Sequence, residues 1–332
     1  MAKKALLIGI NKYPGKNKLS YCVNDCNALA KILARNDDKG KSKNFEVKQI
    51  PNCPDARTAS DSIEELFGDK YVDTALFYFS GHGYIDSNNN GGIVFPDNIN
   101  PKSIYFGIKM EDIMRIVAKS SIKNKIIILD CCKSGSIADG LDNKAHLPDG
   151  CTILTSSRAD QDSMESPEKS HGIFTDLLIQ ALSGEAADYL GNITVGGIYA
   201  YIDRSLSLWG QRPIFKTNIS CFESIRNVTP RLELDRMKKG LKLFPKADYK
   251  YPLTPENEYT TYPNKEEART TNPDCINFQI LQDLQKIGFV EPSMEELSEG
   301  ERYMYFAAIR SKSCRLTKIG KYYWKLYKNG RI

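Results

Sequence analysis

The sequence predicts an α/β fold, a mostly parallel sheet sandwiched between helices, followed by a small helical domain. Three observations predict it. Short apolar runs alternate along the first 180 residues with stretches whose apolar positions recur at helical spacing. The runs are continuously apolar, the mark of strands buried on both faces, where crossover helices cover the sheet. After about residue 229 that alternation stops, and the pattern becomes irregular and then helical.

In chain order, the strands are expected at "ALLIGI" (5–10), "FEVKQI" (45–50), "TALFYFS" (74–80), "KIIILDC" (125–131) and "CTILTS" (151–156). Helices are expected at "NDCNALAKILAR", with Asn24 as its cap, and at "TASDSIEELF", "MEDIMRIVAK" and "GIFTDLLIQAL". The stretches 133–150 and 158–171 lack periodicity and are rich in small and charged residues, so they read as long exposed loops. The domain boundaries expected are 1–228 for the α/β domain, 229–272 for an irregular linker containing "YPLTPENEYTTYPN", and 273–332 for a small basic domain. That last part contains "INFQILQDLQKIGF", then "SMEELSEGERYMYFAAIR" opened by a capping box from Ser293 to Glu296, then "LTKIGKYYWKLYK", an amphipathic helix with Leu316, Ile319, Tyr323 and Leu326 on one face. There is no internal repeat.

Composition narrows the class of protein. With 332 residues, 41% of them hydrophobic, the chain can bury a sizeable core and is not a disordered protein. It has no run of about 18 apolar residues to span a membrane. The N-terminal "MAKKALLIGI" lacks a small-residue cleavage site and reads as a first buried strand, so the cytoplasm is the expected location and no membrane partner is expected. Nine cysteines without a C-x-x-C pair, beside three histidines, offer no zinc set and fit a reducing compartment, with most of the thiols in the core. The net charge of +5 belongs to the tail: charges cancel over 1–230, and no acid follows Glu301.

Two strands end on reactive side chains. "TALFYF" runs into "SGHG" (80–83), and "IIILD" runs into "CCKSG", which places His82 fifty residues before Cys132. In a parallel α/β sheet ligands bind at the carboxyl ends of the strands, where both motifs fall. Side chains alternate along a strand, so Asp130 and Cys132 share one face, Cys131 points to the other, and Ser80 and His82 are expected to share a face. If the two strands are neighbours, one rim carries Ser80, His82, Asp130 and Cys132. A thiol with a pKa of about 8.5 is only slightly ionised at neutral pH. An adjacent imidazole can take its proton and later protonate a leaving amine. The glycines flanking His82 and the backbone after Asp130 leave amide N–H groups that could hold an oxyanion.

Taken together, "KALLIGINKY", "LSYCVNDCNALAKIL", "FYFSGHGY", "IIILDCCKSG", "ILTSSRADQ", "GIFTDLLIQALSGEA" and "GQRPIF" resemble the caspase-like cysteine peptidases, specifically the metacaspase and bacterial caspase-like branch. The stretches occur in family order over about residues 1–220. The histidine-to-cysteine spacing is also the caspase one. The resemblance implies the caspase-hemoglobinase sandwich, with Cys132 as nucleophile, His82 as the catalytic histidine, and the Gly83 and Cys132 amides as oxyanion hole. It implies no third catalytic acid. It also implies a pocket for the residue before the cut built from Cys22, Asp25, Ser80 and Asp130. As in metacaspases, an aspartate stands two before the nucleophile, so cleavage after Arg or Lys is expected rather than after Asp. In this resemblance Lys144 falls where caspase-like enzymes separate their subunits, and Lys169 is the second candidate for self-cleavage.

Two departures from the family pattern stand out. One type of metacaspase binds calcium through acids after the SGHG strand. Here Asp86, Asp97, Glu111 and Asp112 are scattered there, which argues against calcium dependence, and no cofactor is expected. Lys133 stands where relatives often carry His. The C-terminal part has some winged-helix character in "LTKIGKYYWKLY" and matches no family securely. Its basic face is expected to dock a regulatory protein partner, in preference to nucleic acid. The expected function is thus an endopeptidase of the kind that in bacteria serves antiviral defence or programmed cell death, activated by a partner or by self-processing. The alternative is a catalytically weak caspase-fold scaffold for signalling that acts through its basic C-terminal domain.

Overall fold

The computed structural model describes residues 2–85, 91–98, 107–131, 147–156, 171–206, 212–293, 295, 297 and 303–332. They form two compact units, Met1–Thr229 and Pro230–Ile332.

The first unit is organised by a six-stranded sheet. Its strands are β1 (Lys3–Gly9), β2 (Phe45–Pro51), β3 (Thr74–Gly81), β7 (Asn124–Cys131), β8 (Cys151–Thr155) and β10 (Ile214–Asn218), in the spatial order β10-β8-β7-β3-β1-β2. All pairs are parallel except β10 with β8. Three short strands, β4 (Gly83–Ile85), β5 (Gly91–Val94) and β6 (Gly107–Lys109), make a separate antiparallel sheet, and β9 (Asn192–Ile193) pairs antiparallel with β11 (Arg226–Asn227). The two central strands, β3 and β7, carry continuous apolar runs at 75–79 and 126–129 and are buried along almost their whole length. Alternation divides their side chains between two cores. Phe77, Phe79, Ile127, Leu129 and Cys131 pack on one face, with residues of α2 (Ala56–Gly68) and α3 (Met110–Lys119). Leu76, Tyr78, Ile126 and Ile128 pack on the other, with α1 (Cys22–Leu33), α4 (Ile173–Gln180) and α5 (Val195–Leu206).

Because β1 has β2 on one side and β3 on the other, the strand order reverses between β1 and β3. The carboxyl ends of these strands and of β7 therefore flank the topological switch point, where open α/β sheets bind their ligands. Gly9, at the end of β1, lets α1 press onto that edge. A Cβ on Gly9 would lie 2.2 Å from the Cys22 carbonyl oxygen and 2.7 Å from the Cys26 sulfur. Gly9→Ala should therefore destabilise the protein by about 1–3 kcal/mol through overpacking. The check is a thermal midpoint lowered by several degrees.

The start of α1 differs from expectation. Asn24 lies inside the first turn and does not cap it; the N-cap residue is Tyr21, which makes no side-chain cap bond. The Oδ1 of Asn11, on the loop after β1, accepts from Val23 N–H at 3.1 Å and serves instead.

The second unit begins earlier than the pattern suggested. The stretch expected to be an irregular linker contains α6 (Leu234–Lys242), which buries Met237 and Leu241, and α7 (Lys265–Thr271), capped by Asn264. Gly240 lets α6 approach α8 (Pro273–Lys286), since a Cβ there would meet Leu284 at 2.5 Å. The unit is also not purely helical. The strands β12 (Tyr251–Pro252), β14 (Ser313–Leu316) and β13 (Val290–Pro292) form a sheet in that order. Leu316 therefore belongs to a strand, and helix α10 (Lys318–Lys328) starts after the Thr317 cap, with Ile319 exposed. The Ser293 hydroxyl is buried and sits 2.7 Å from that of Ser313, its capping-box partner Glu296 lies outside the described residues, and the described α-helix of this stretch is α9 (Met304–Ile309). No described helix is long and apolar enough to cross a membrane.

Candidate active site

Strands β3 and β7 are neighbours, and their register pairs Ser80 with Asp130 and Gly81 with Cys131. The two paired strands thus end one residue short of His82 and Cys132. Cys131 is 1% exposed and faces the core that holds Leu129 and Phe79, away from Asp130. Cys132, Lys144 and Lys169 lie outside the described residues.

Asp25 comes from the first turn of α1, held over the sheet edge by the close contact at Gly9. Asp130 comes from the end of β7. Both are buried, at 2% and 6% exposure. The Ser80 hydroxyl donates to Asp25 Oδ2 at 3.3 Å, and His171 Nδ1 stands 2.8 Å from Asp25 Oδ1. The Thr175 hydroxyl donates to Asp130 Oδ2 at 2.6 Å. Having given its proton there, Thr175 accepts one from the Tyr78 hydroxyl at 2.7 Å. Burial first, and then the charges of Asp25 and Asp130, push the Tyr78 phenol well up, so it stays a donor. Both carboxylates reach toward Gly172. A Cβ built there would lie 3.3 Å from Asp130 Oδ2 and 3.9 Å from Asp25 Oδ2. Of the predicted pocket residues, the structure gathers Asp25, Ser80 and Asp130, and it buries Cys22 one helical turn before Asp25. The sequence reading does not include His171, Thr175 or Tyr78 in the site, although Thr175 and Tyr78 lie within the motif stretches "GIFTDLLIQALSGEA" and "FYFSGHGY".

His82 differs from the expected placement. Strand β3 ends at Gly81, so alternation does not carry to His82, which occupies the corner leading into β4. Its ring packs on Tyr13, centroid to centroid 4.5 Å, and its backbone N–H donates to the Tyr13 hydroxyl at 3.0 Å. Its Nε2 lies 2.7 Å from the Asn17 carbonyl oxygen. A carbonyl can only accept, so Nε2 carries the hydrogen and Nδ1 keeps the lone pair of the neutral ring. In the β4–β5 ladder, Val94 N–H donates to the His82 carbonyl at 2.9 Å, which makes Gly83 and Ile93 a pair that exchanges no bond. The ladder therefore does not use the Gly83 N–H.

Seven of the described cysteines are buried, and Cys221 is exposed. Burial pushes the Cys26 thiol well up and the Cys151 thiol up to about 12. It also raises Cys53, Cys275 and Cys314. These groups are protonated and shielded at neutral pH, and thiolate is the reactive form. Brief treatment with iodoacetamide at pH 7.5 should therefore label Cys221 and spare these five, as read by peptide mass mapping.

A histidine at the exit of a parallel strand, with a neighbouring strand that runs on in sequence to a cysteine, is the arrangement that the resemblance to caspase-like peptidases leads one to expect. Comparison with known proteins shows the family. A profile of the caspase domain matches residues 2–227, and the chain belongs to that family. The chain is 28% identical over 151 residues to Metacaspase-1 of Plasmodium falciparum, covering 41% of this chain and 24% of that protein. It is 28% identical over 196 residues to Metacaspase-7 of Arabidopsis thaliana, covering 54% and 46%. It therefore spans less than half the length of these curated relatives. Among solved structures, the protein GSU0716 of Geobacter sulfurreducens superposes with a TM-score of 0.50 at 16% identity, over 69% of this chain and all of that one, a likeness of fold.

Proposed function

We propose that the protein is a cysteine endopeptidase that cuts protein substrates after Arg or Lys. The observation that carries the specificity is the pair of buried carboxylates, Asp25 and Asp130, directed at one glycine. Two acids in one recess favour a cation, and a guanidinium matches carboxylates with two parallel bonds. Ser80 and Cys22 complete the pocket.

The chemistry follows from the histidine. Nδ1 of His82 takes the proton of the Cys132 thiol, and the thiolate attacks the scissile carbonyl carbon. The resulting oxyanion is held by the N–H groups of Gly83 and Cys132. The imidazolium keeps its Nε2–H on the Asn17 carbonyl and gives the Nδ1 proton to the leaving amine, which leaves a thioester. Nδ1 then takes a proton from water, the hydroxide attacks the thioester, and the acid product departs with the thiol restored. No cofactor enters these steps, and a chelator should leave the rate unchanged. The deciding experiment compares fluorogenic peptides that differ only before the cut: Arg and Lys should be cleaved, and Asp should not.

The cellular role proposed is a cytoplasmic protease of defence or regulated cell death, switched on by a protein partner at the basic second unit or by self-processing. If processing occurs, active protein should be cut after Lys144 or after Lys169. Intact-mass analysis against Cys132→Ala is the check, and an active enzyme that stays a single chain would retire the idea.

A further inference from the structure

The loop between β1 and α1, residues 10–20, touches His82 twice. The Asn17 carbonyl takes its Nε2–H at 2.7 Å, and the Tyr13 hydroxyl takes its backbone N–H at 3.0 Å. We infer that Tyr13 is a positioning residue for the catalytic base, a buried strut that fixes both the backbone and the ring of His82. The inference rests on reading His82 as the base.

Four observations support it. First, Tyr13 is 2% exposed, and a buried phenol needs partners. It has two: it accepts from His82 N–H and donates to the Val94 carbonyl at 3.0 Å. Val94 N–H in turn donates to the His82 carbonyl at 2.9 Å, so the phenol and β5 hold the histidine's peptide groups from both sides. Second, the Tyr13 ring lies 4.5 Å from the imidazole at an interplanar angle of 55°, which limits rotation of the imidazole away from Asn17. Third, the space for the hydroxyl exists because residue 81 is glycine. A Cβ there would stand 2.5 Å from the Tyr13 oxygen. Fourth, the loop itself is anchored. Asn11 and Lys12 N–H groups donate to Asn52 Oδ1 at 2.9 and 3.0 Å, and Ile10 N–H donates to the Ser80 carbonyl at 3.0 Å. Burial keeps the phenol protonated by pushing its pKa well up, so the strut persists across the working pH range.

The arrangement differs from that of a tyrosine that only fills the core. A filler could be replaced by phenylalanine with a loss of stability alone. A positioning residue, once replaced, leaves the base off its line, and a misplacement of about 1 Å can cost on the order of 100-fold in rate.

Tyr13→Phe keeps the ring and removes the hydroxyl. Gly81→Ala keeps the phenol and displaces it. Both are assayed with a fluorogenic peptide ending in Arg. The expected result is kcat lower by roughly 10- to 100-fold in the folded enzyme, with KM within about twofold. Imidazole nitrogen NMR gives a second readout, because the chain has only three histidines. His82 should pass from the Nε2–H tautomer toward a mixture, while His146 and His171 stay unchanged. Unaltered kcat, or a loss of kcat that only follows the folded fraction with the His82 tautomer intact, would overturn the inference. Should Tyr13→Phe fail to fold, Gly81→Ala decides by the same two readouts. His82→Ala separates the levels. If that variant still cleaves, the base assignment fails; if it is dead while Tyr13→Phe runs at the wild-type rate, the strut alone fails.

Discussion

Cys132→Ala should abolish peptide cleavage, whereas Cys131→Ala should leave substantial activity. The two neighbours differ because a strand turns successive side chains to opposite faces. Cys131 is 1% exposed among Leu129, Phe79 and other core residues, and its neighbour Asp130 faces the opposite way, toward Thr175. Losing a nucleophile costs on the order of 10⁶ in kcat in well-studied hydrolases. Losing one buried sulfur leaves a small cavity and costs roughly 1 kcal/mol, which a folded domain tolerates. Turnover and circular dichroism on both variants are the measurements. Equal inactivation, with Cys131→Ala demonstrably folded, would remove Cys132 from its role.

The second large effect concerns the residue preceding the cut. In the proposed pocket an arginine there would meet Asp25 and Asp130 together, whereas a neutral side chain would leave both without a cation from the substrate. Truncating one partner of a buried, hydrogen-bonded charge pair costs about 2–5 kcal/mol. At about 1.4 kcal/mol per tenfold, Arg should exceed Ala by roughly 30-fold to several thousandfold in kcat/KM. Lysine should follow, since it offers no planar fork, and aspartate should be refused as a third negative charge. Asp130→Asn, which still accepts from Thr175, should flatten the preference without disturbing the fold. A peptide library settles it, and cleavage after Asp would refute the pocket while leaving the Cys–His chemistry standing.

The main elements of the first unit were legible because their burial is simple. "MEDIMRIVAK" is helical from Met110 to Lys119, as its periodicity predicts, and the apolar runs at 74–80 and 125–131 are the two central strands. Where the reading failed, the cause was non-local. Asn24 looks like a cap only while Asn11, which does that work from the preceding loop, is out of view. Edge strand β10 is only half buried or exposed and carries no apolar run. In the second unit, Leu316 fits the helical stripe by spacing, but Thr317 caps the helix one residue later and leaves Leu316 to the sheet. The site shows the same division. His82, Asp25 and Asp130 were legible because motifs carry them. Thr175 and His171 meet the acids across separations of 45 and 146 residues, and no local pattern announces that.

Gly172 precedes α4 with φ −60° and ψ 148°, an ordinary extended conformation open to any residue. Its lack of a side chain is thus not a demand of the backbone, and what it preserves is vacancy beside two acids. A side chain placed here would meet the two acids first. An alanine would shave the recess. An arginine would bring a tethered guanidinium to Asp25 and Asp130, and the enzyme would carry its own competitor for the place a substrate must take. One substitution outside the catalytic chemistry could therefore convert a protease into a self-silenced copy of the same fold.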